Sequence, residues 1–183
     1  MIRRMHKVII LILFLSFAMI FACQEQNKVP PSKLELRDTL IYEKGSDKPF
    51  TGREYAQIEN KIIEYDVVNG IKHGEFRLYY ESGKLEIKGQ LKNNLNEGRW
   101  QYFYESGQIE SEGDFVSNLP EGIWKWYHRS GQLREEGLFI KGIRFGIWKE
   151  FDESGKIINE KDYSISDSTG NESDLIQKFK KQK

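Results

Sequence analysis

From Gly70 to Tyr163 the apolar residues fall at even spacing with glycine between them. That is the pattern of strands whose side chains alternate between two faces, and not of helices. The block Gly74-Glu-Phe76-Arg-Leu-Tyr79-Tyr80-Glu-Ser82-Gly83 recurs three times. Its copies run from Gly98 through Trp100 to Gly107, from Gly122 through Trp124 to Gly131, and from Gly146 through Trp148 to Gly155. The opening glycines, Gly74, Gly98, Gly122 and Gly146, advance by one constant step, without insertion. A degenerate leading unit begins at Phe50-Thr51-Gly52, slightly less than one step before Gly74. The second half of each unit repeats as well: Leu85, Ile109, Leu133 and Ile157 are followed at a fixed interval by Gly89, Gly113, Gly137 and Lys161.

Two turn signals punctuate each unit. Glu-Ser-Gly or Arg-Ser-Gly suits a bulged three-residue hairpin loop, with Gly accepting the positive φ. Asn69-Gly70, Asn93-Asn94, Ser117-Asn118 and Lys141-Gly142 mark the return turns, where Asn and Gly tolerate the left-handed conformation. Each unit is therefore one β-hairpin. The expected fold is all-β, an elongated antiparallel meander of stacked hairpin repeats in a single-layer sheet, with stability that is roughly nearest-neighbour. Helical repeats are excluded, because glycine recurs too often between Gly74 and Gly155 to leave a helix-length window free of it. In the last unit Lys161, Glu150 and Asp152 occupy positions held elsewhere by Gly and aromatics. Charge there solvates an edge and protects it from adding strands.

The pattern G-x-W-x-x-Y-Y-x-x-G-x-L over about residues 48–163 resembles the MORN-variant repeat proteins of bacteria, a family whose arrays are often labelled antitoxin-like. The resemblance implies the hairpin fold and no cofactor. It leaves function open, since fold does not fix function.

The N-terminus reads as an address. Met1 to Lys7 is short and basic, and Val8 to Ala22 is apolar apart from Ser16. Fifteen helical residues reach only about 22 Å, short of the hydrocarbon core of about 30 Å. The run therefore fits a secretory signal over residues 1–22. Ile20-Phe21-Ala22-Cys23 resembles the lipobox of bacterial lipoproteins, and Cys23 is the chain's one cysteine. Acylation there would tie the protein to a lipid bilayer, since each buried methylene contributes about 0.8 kcal/mol. Gln24 after Cys23 resembles lipoproteins passed on to the outer membrane, so the expected location is the bacterial cell envelope. Residues 24–47, with Pro30-Pro31, read as a flexible tether that allows a short strand at Leu40–Tyr42. Residues 164–183 read as a polar tail in which Asn171-Glu172-Ser173-Asp174 precedes Leu175, Ile176 and Phe179 and could cap one short helix.

Charge narrows the function classes. Arg3, Arg4 and Lys7 fall in the leader, and beyond Ala22 acidic side chains outnumber basic ones, a sign that does not favour nucleic acid. The serines that recur before the turn glycines are turn formers. His6, His73 and His128 have no metal-ligand spacing to one another, and no nucleophile, phosphate-loop or HExxH motif occurs. A non-catalytic binding or scaffold module recognising another protein or an envelope component is the expected class. An antitoxin-like neutralising partner and a plain structural spacer are the alternatives. A spacer predicts outward columns of Lys, Glu and Gln only, whereas a binder predicts a continuous run of outward Trp and Tyr. The uniform column Phe76, Trp100, Trp124 and Trp148 is expected to be buried. The varied column Tyr80, Tyr104 and His128, with Trp126 beside it, is expected to form an exposed partner surface. Strand parity opposes that split unless a bulge intervenes.

If Cys23 is acylated, Cys23→Ala blocks maturation and abolishes metabolic labelling by a palmitate analogue. A membrane-bound wild type that takes up no label would instead indicate an uncleaved anchor.

Overall fold

The computed structural model describes residues 29–164. The leader, Cys23 and the expected tail helix lie outside them. Twelve strands follow in chain order: β1 Leu34–Arg37, β2 Leu40–Glu43, β3 Gly52–Ile58, β4 Lys61–Val68, β5 Ile71–Tyr79, β6 Leu85–Lys92, β7 Leu95–Phe103, β8 Ile109–Val116, β9 Leu119–Tyr127, β10 Leu133–Ile140, β11 Ile143–Phe151 and β12 Ile157–Asp162. Strands β3 to β12 form one ten-stranded antiparallel sheet in sequence order, with β3 and β12 at its edges, so it does not close into a barrel. The expected meander of hairpin repeats is what the chain forms.

The turns follow from their residues. Asn93 and Asn94 (φ 54° and 66°), Ser117 and Asn118 (51° and 69°), and Lys141 and Gly142 (51° and 82°) are two-residue loops with both φ positive. That geometry matches the right-handed twist of the flanking strands. These turns also clasp one another. The Asn94 and Asn118 side-chain oxygens accept the Lys72 and Asn96 N–H groups at 2.8 and 2.6 Å, and the Asn94 and Asn118 N–H groups donate back to the Lys72 and Asn96 carbonyls. At the opposite ends of the strands, the Gly83 and Gly107 N–H groups close three-residue loops onto the Tyr80 and Tyr104 carbonyls.

The two faces of the sheet differ in chemistry. One carries a cross-strand row running Glu64–Arg77–Lys88–Gln101–Glu112–Lys125–Glu136–Lys149–Glu160. The other carries the tryptophans, three of which lie on a glycine of the strand before. A Cβ added at Gly89, Gly113 or Gly137 would stand 2.1 to 2.2 Å from a ring atom of Trp100, Trp124 or Trp148. Each indole N–H donates to the carbonyl just after its glycine: Gln90, Asp114 and Leu138, at 3.2, 3.1 and 3.2 Å. The rule has ends. Tyr65 stands in the glycine column of the leading unit, and the ring that follows it is the smaller Phe76. Lys161 stands there in the last unit and pairs with Trp148 on the edge strand.

One correction concerns the stretch read as a tether. Leu34–Glu43 is an ordered hairpin, with the strand allowed at Leu40–Tyr42 as its second arm. It docks on the first unit: Ile41 N–H donates to Gly70 O, Phe50 N–H to Ile41 O, and Gly70 N–H to Phe50 O. Ile41, Tyr65 and Val67 are buried together there, packed by Leu34, Phe50, Ile63 and Phe76. Apolar burial, worth about 25 cal/mol per Å², accounts for order in residues whose composition alone suggests a linker.

Gly113→Ala forces a Cβ into the Trp124 ring and is expected to cost about 1–3 kcal/mol, the usual cost of overpacking. Adding Trp124→Phe should recover part of that loss, because Tyr65 and Phe76 coexist at the same rung. Urea unfolding of the single and double variants checks it, and strictly additive losses would contradict the contact.

Candidate functional site

The uniform column is buried as expected: Trp100, Trp124 and Trp148 are 4 %, 5 % and 3 % exposed. The opening glycines make this possible. Gly98, Gly122 and Gly146 hold φ of 63°, 73° and 67° within bulges where the register shifts opposite Gly89, Gly113 and Gly137. These bulges re-aim the strand so that the ring that follows folds onto the preceding strand.

The varied column is a different matter. Tyr104 is 8 % exposed. Its hydroxyl donates to the Tyr127 carbonyl of the next unit at 2.7 Å. The Tyr80 hydroxyl donates to the Phe103 carbonyl at 2.6 Å over the same interval. His128 Nε2 lies 2.8 Å from the Phe151 carbonyl, which requires the proton on that nitrogen. These three side chains therefore tie each unit to the next; Tyr104 is buried, against the expectation of an exposed surface, while Tyr80 and His128 are half-buried. A second register shift, between Leu78 and Tyr79 and between Tyr102 and Phe103, breaks the alternation that parity assumed. Variation in the column preserves a donor: a Tyr O–H and a His N–H serve the same carbonyl. In the last unit Asp152 turns to its own loop instead, accepting the Ser154 and Lys156 N–H groups.

Trp126 separates from those three. It is half-buried and stands 5.8 Å from Trp124 and 5.7 Å from Trp148, ring centroid to ring centroid. Tyr102 shares its row through Ser111. Together they broaden the ladder into a ribbon. Edge-on contacts join Trp100 to Phe115 at 5.8 Å, Phe115 to Trp124 at 5.1 Å, Phe139 to Trp148 at 4.9 Å and Trp148 to Tyr163 at 6.1 Å. Such pairs prefer edge-to-face geometry and contribute about 0.5–1.5 kcal/mol beyond their burial. Phe115, Phe139, Tyr102 and Trp126 all keep part of their surface in water. At the C-terminal end Arg144 stacks 3.9 Å above Trp148, paired to Glu135 at 3.2 Å. The Arg144 hydrogen bond is the main reason the Tyr163 hydroxyl titrates below its ordinary value.

The opposite face is held by ion pairs. Arg53 reaches Asp66 at 2.7 Å, Glu64 at 3.0 Å and Glu75 at 3.5 Å. The Arg53 hydrogen bond holds the Asp66 carboxyl below the usual carboxylate range. Burial pushes the Glu112 carboxyl up, but hydrogen bonds from Gln101 and Tyr127 and the charge of Arg99 outweigh it and leave the group lowered. Among the described residues no three His, Cys, Asp or Glu side chains converge as a metal site.

The family comparison fits this geometry. The model of the MORN repeat variant matches residues 72–93, 96–117, 120–141 and 146–164. The chain carries four MORN-variant repeats. Each matched segment starts on the strand leaving a return turn, and the first three end at the first residue of the next return turn, so the hairpins of the sheet and the family repeat coincide. The hairpin β3–β4 lies before the first match yet continues the same antiparallel pairing, so the sheet extends one hairpin beyond the matched repeats. No curated protein matches the chain.

The ion pairs give the array a definite pH response. A carboxylate whose folded pKa lies below its unfolded value stabilises the fold above the unfolded value, and that contribution is lost as pH falls through the folded one. With Asp66 and Glu112 both lowered, the urea midpoint should decline as pH drops below about 4. Arg53→Gln should make that decline shallower by removing the cause at Asp66. An unchanged slope in urea titrations at several pH values would count against the Arg53–Asp66 pair.

Proposed function

We propose that this chain is a membrane-anchored, non-catalytic lipoprotein whose MORN-variant array binds another protein or an envelope component. The aromatic ribbon supports a binder over a spacer. Tyr102, Phe115, Trp126 and Phe139, on four successive strands, are each half-buried on the aromatic face, and the Trp126 and Phe139 ring centroids lie 6.3 Å apart. A bare spacer would need only Lys, Glu and Gln on its outward positions. Rigid aromatics supply large contact area at low entropic cost, and such side chains carry most of the energy at protein interfaces. The Arg144 guanidinium above Trp148 and the Lys161 ammonium 4.8 Å from the Tyr163 ring add cations at one end of the ribbon. Acylated Cys23 would hold this surface at the bilayer, with the hairpin β1–β2 closing the anchored end of the array.

The test is affinity capture of the full-length acylated protein from its own envelope. Tyr102→Ala and Trp126→Ala should each lower recovery of the captured partner by about fivefold to thirtyfold or more, the range expected for an aromatic anchor worth about 1–2 kcal/mol or more. Lys88→Ala on the opposite face should leave recovery unchanged. Equal recovery from all three variants would argue for a spacer. Loss from Lys88→Ala alone would move the surface to the ionic face.

A further inference from the structure

One row of the ionic face changes character along the array. In its first part it holds the ion pairs Arg53–Asp66 and Arg99–Asp114, at 2.7 and 3.4 Å. In the last two units the same positions are Ile123, Leu138 and Ile147, register partners or neighbours on β9, β10 and β11. Ile123 and Ile147 are 51 % and 52 % exposed. With Lys125, Glu136, Gly137 and Lys149 they line a shallow depression of about 430 Å³. Two half-exposed isoleucines beside a half-buried leucine, in columns that hold ion pairs in the earlier units, form a local apolar patch of the kind that marks a contact site.

We infer that the chain's own C-terminal segment, Asn171–Phe179, covers this patch with Leu175, Ile176 and Phe179. Position is the first reason. The chain leaves β12 at Asp162, which pairs directly with Ile147. Leu138 and Ile123 lie one and two strands further on, within about 15 Å of β12 at about 4.8 Å per strand. The stretch Ile165–Asp174 can span up to about 35 Å, so reach is ample. Sequence is the second reason. Leu175, Ile176 and Phe179 are the apolar residues of that segment, placed together after a polar stretch. Charge is the third. Around the patch and the adjoining strand stand Lys125 and Lys149 against Glu136, Glu160 and Asp162, while Asn171–Lys183 carries four lysines against Glu172 and Asp174. The apolar substitutions fall in the two units nearest the chain's exit and not in the earlier ones, as a tethered occupant requires. The covered face is the one opposite the aromatic ribbon, so the contact leaves the proposed partner surface free.

The test places a photoreactive phenylalanine analogue at Phe179 of the full chain, in a mixture of isotopically light and heavy protein. Cross-links should join Phe179 to peptides containing Ile123, Leu138 or Ile147 of the same chain. The double variant Ile123→Arg with Leu138→Asp should lower that yield at least tenfold. It rebuilds the ion pair that Arg99 and Asp114 make in the same columns, so its β spectrum should persist. If it does not fold, the single Ile147→Arg exchange gives the same reading. Light–heavy cross-links would assign the patch to a second copy, and cross-links confined to other proteins would assign it to a partner. Either result overturns the inference, as do cross-links to the aromatic face, an absence of cross-links, or an undiminished yield in the folded variant.

Discussion

The array depends on one contact, an indole lying flat on a residue that has no side chain. Gly89, Gly113 and Gly137 leave the space, and Trp100, Trp124 and Trp148 fill it while donating to the next carbonyl. A single-layer sheet has no second layer to bury its apolar face. Folding each ring onto the neighbouring strand lets the sheet supply its own cover, which is how side chains in such a thin structure fall to 3–5 % exposure. The positive-φ glycines at 98, 122 and 146 follow from the same demand, since the strand must bulge to aim the ring. Glycine therefore does two unlike jobs in each unit, one conformational and one spatial.

A second set of bonds runs beside the first. Tyr80, Tyr104 and His128 each reach a carbonyl of the following unit, and Asn94, Asn118, Glu97 and Glu121 clasp the turns at the other strand ends. A buried carbonyl left without a donor costs about 1–3 kcal/mol, so these contacts fix the spacing of the units as well as adding to their attraction. The units are coupled at both strand ends and along the middle, which makes each hairpin's stability conditional on its neighbours.

Much of this was legible in the sequence. The constant period, the two turn types and the buried Trp column all follow from where Gly, Asn and aromatic residues stand. The link between each glycine and the tryptophan of the following strand was present in the letters, since Gly89 precedes Trp100 by the same interval at which Tyr65 precedes Phe76. Its meaning needed the pairing of adjacent strands. The varied column misled because variation was equated with exposure. Tyr and His differ in shape yet both offer a hydrogen to the equivalent acceptor, and a second bulge moved them out of the parity that strand alternation implies. The hairpin β1–β2 was half visible, in Leu40–Tyr42. Its first arm, Leu34–Arg37, repeats nothing, is very short and has no periodic partner to reveal it.

A sheet that grows by stacking needs a reason to stop. At the first edge the reason is cover: Pro30 accepts the Gln57 N–H of β3 at 2.8 Å, and the hairpin β1–β2 packs on the first rung. At the other edge the reason is steric as well as electrostatic. A strand bearing tryptophan can add only where the edge offers a glycine, because any Cβ at that position stands about 2 Å from the incoming ring. β12 presents Lys161 there, flanked by Glu160 and Asp162. The charges alone would slow the pairing of edges, but Lys161 goes further and makes the edge incompatible with another copy of the array's own Trp-bearing strands. The residue that looks like decay of the repeat is thus the one that ends it.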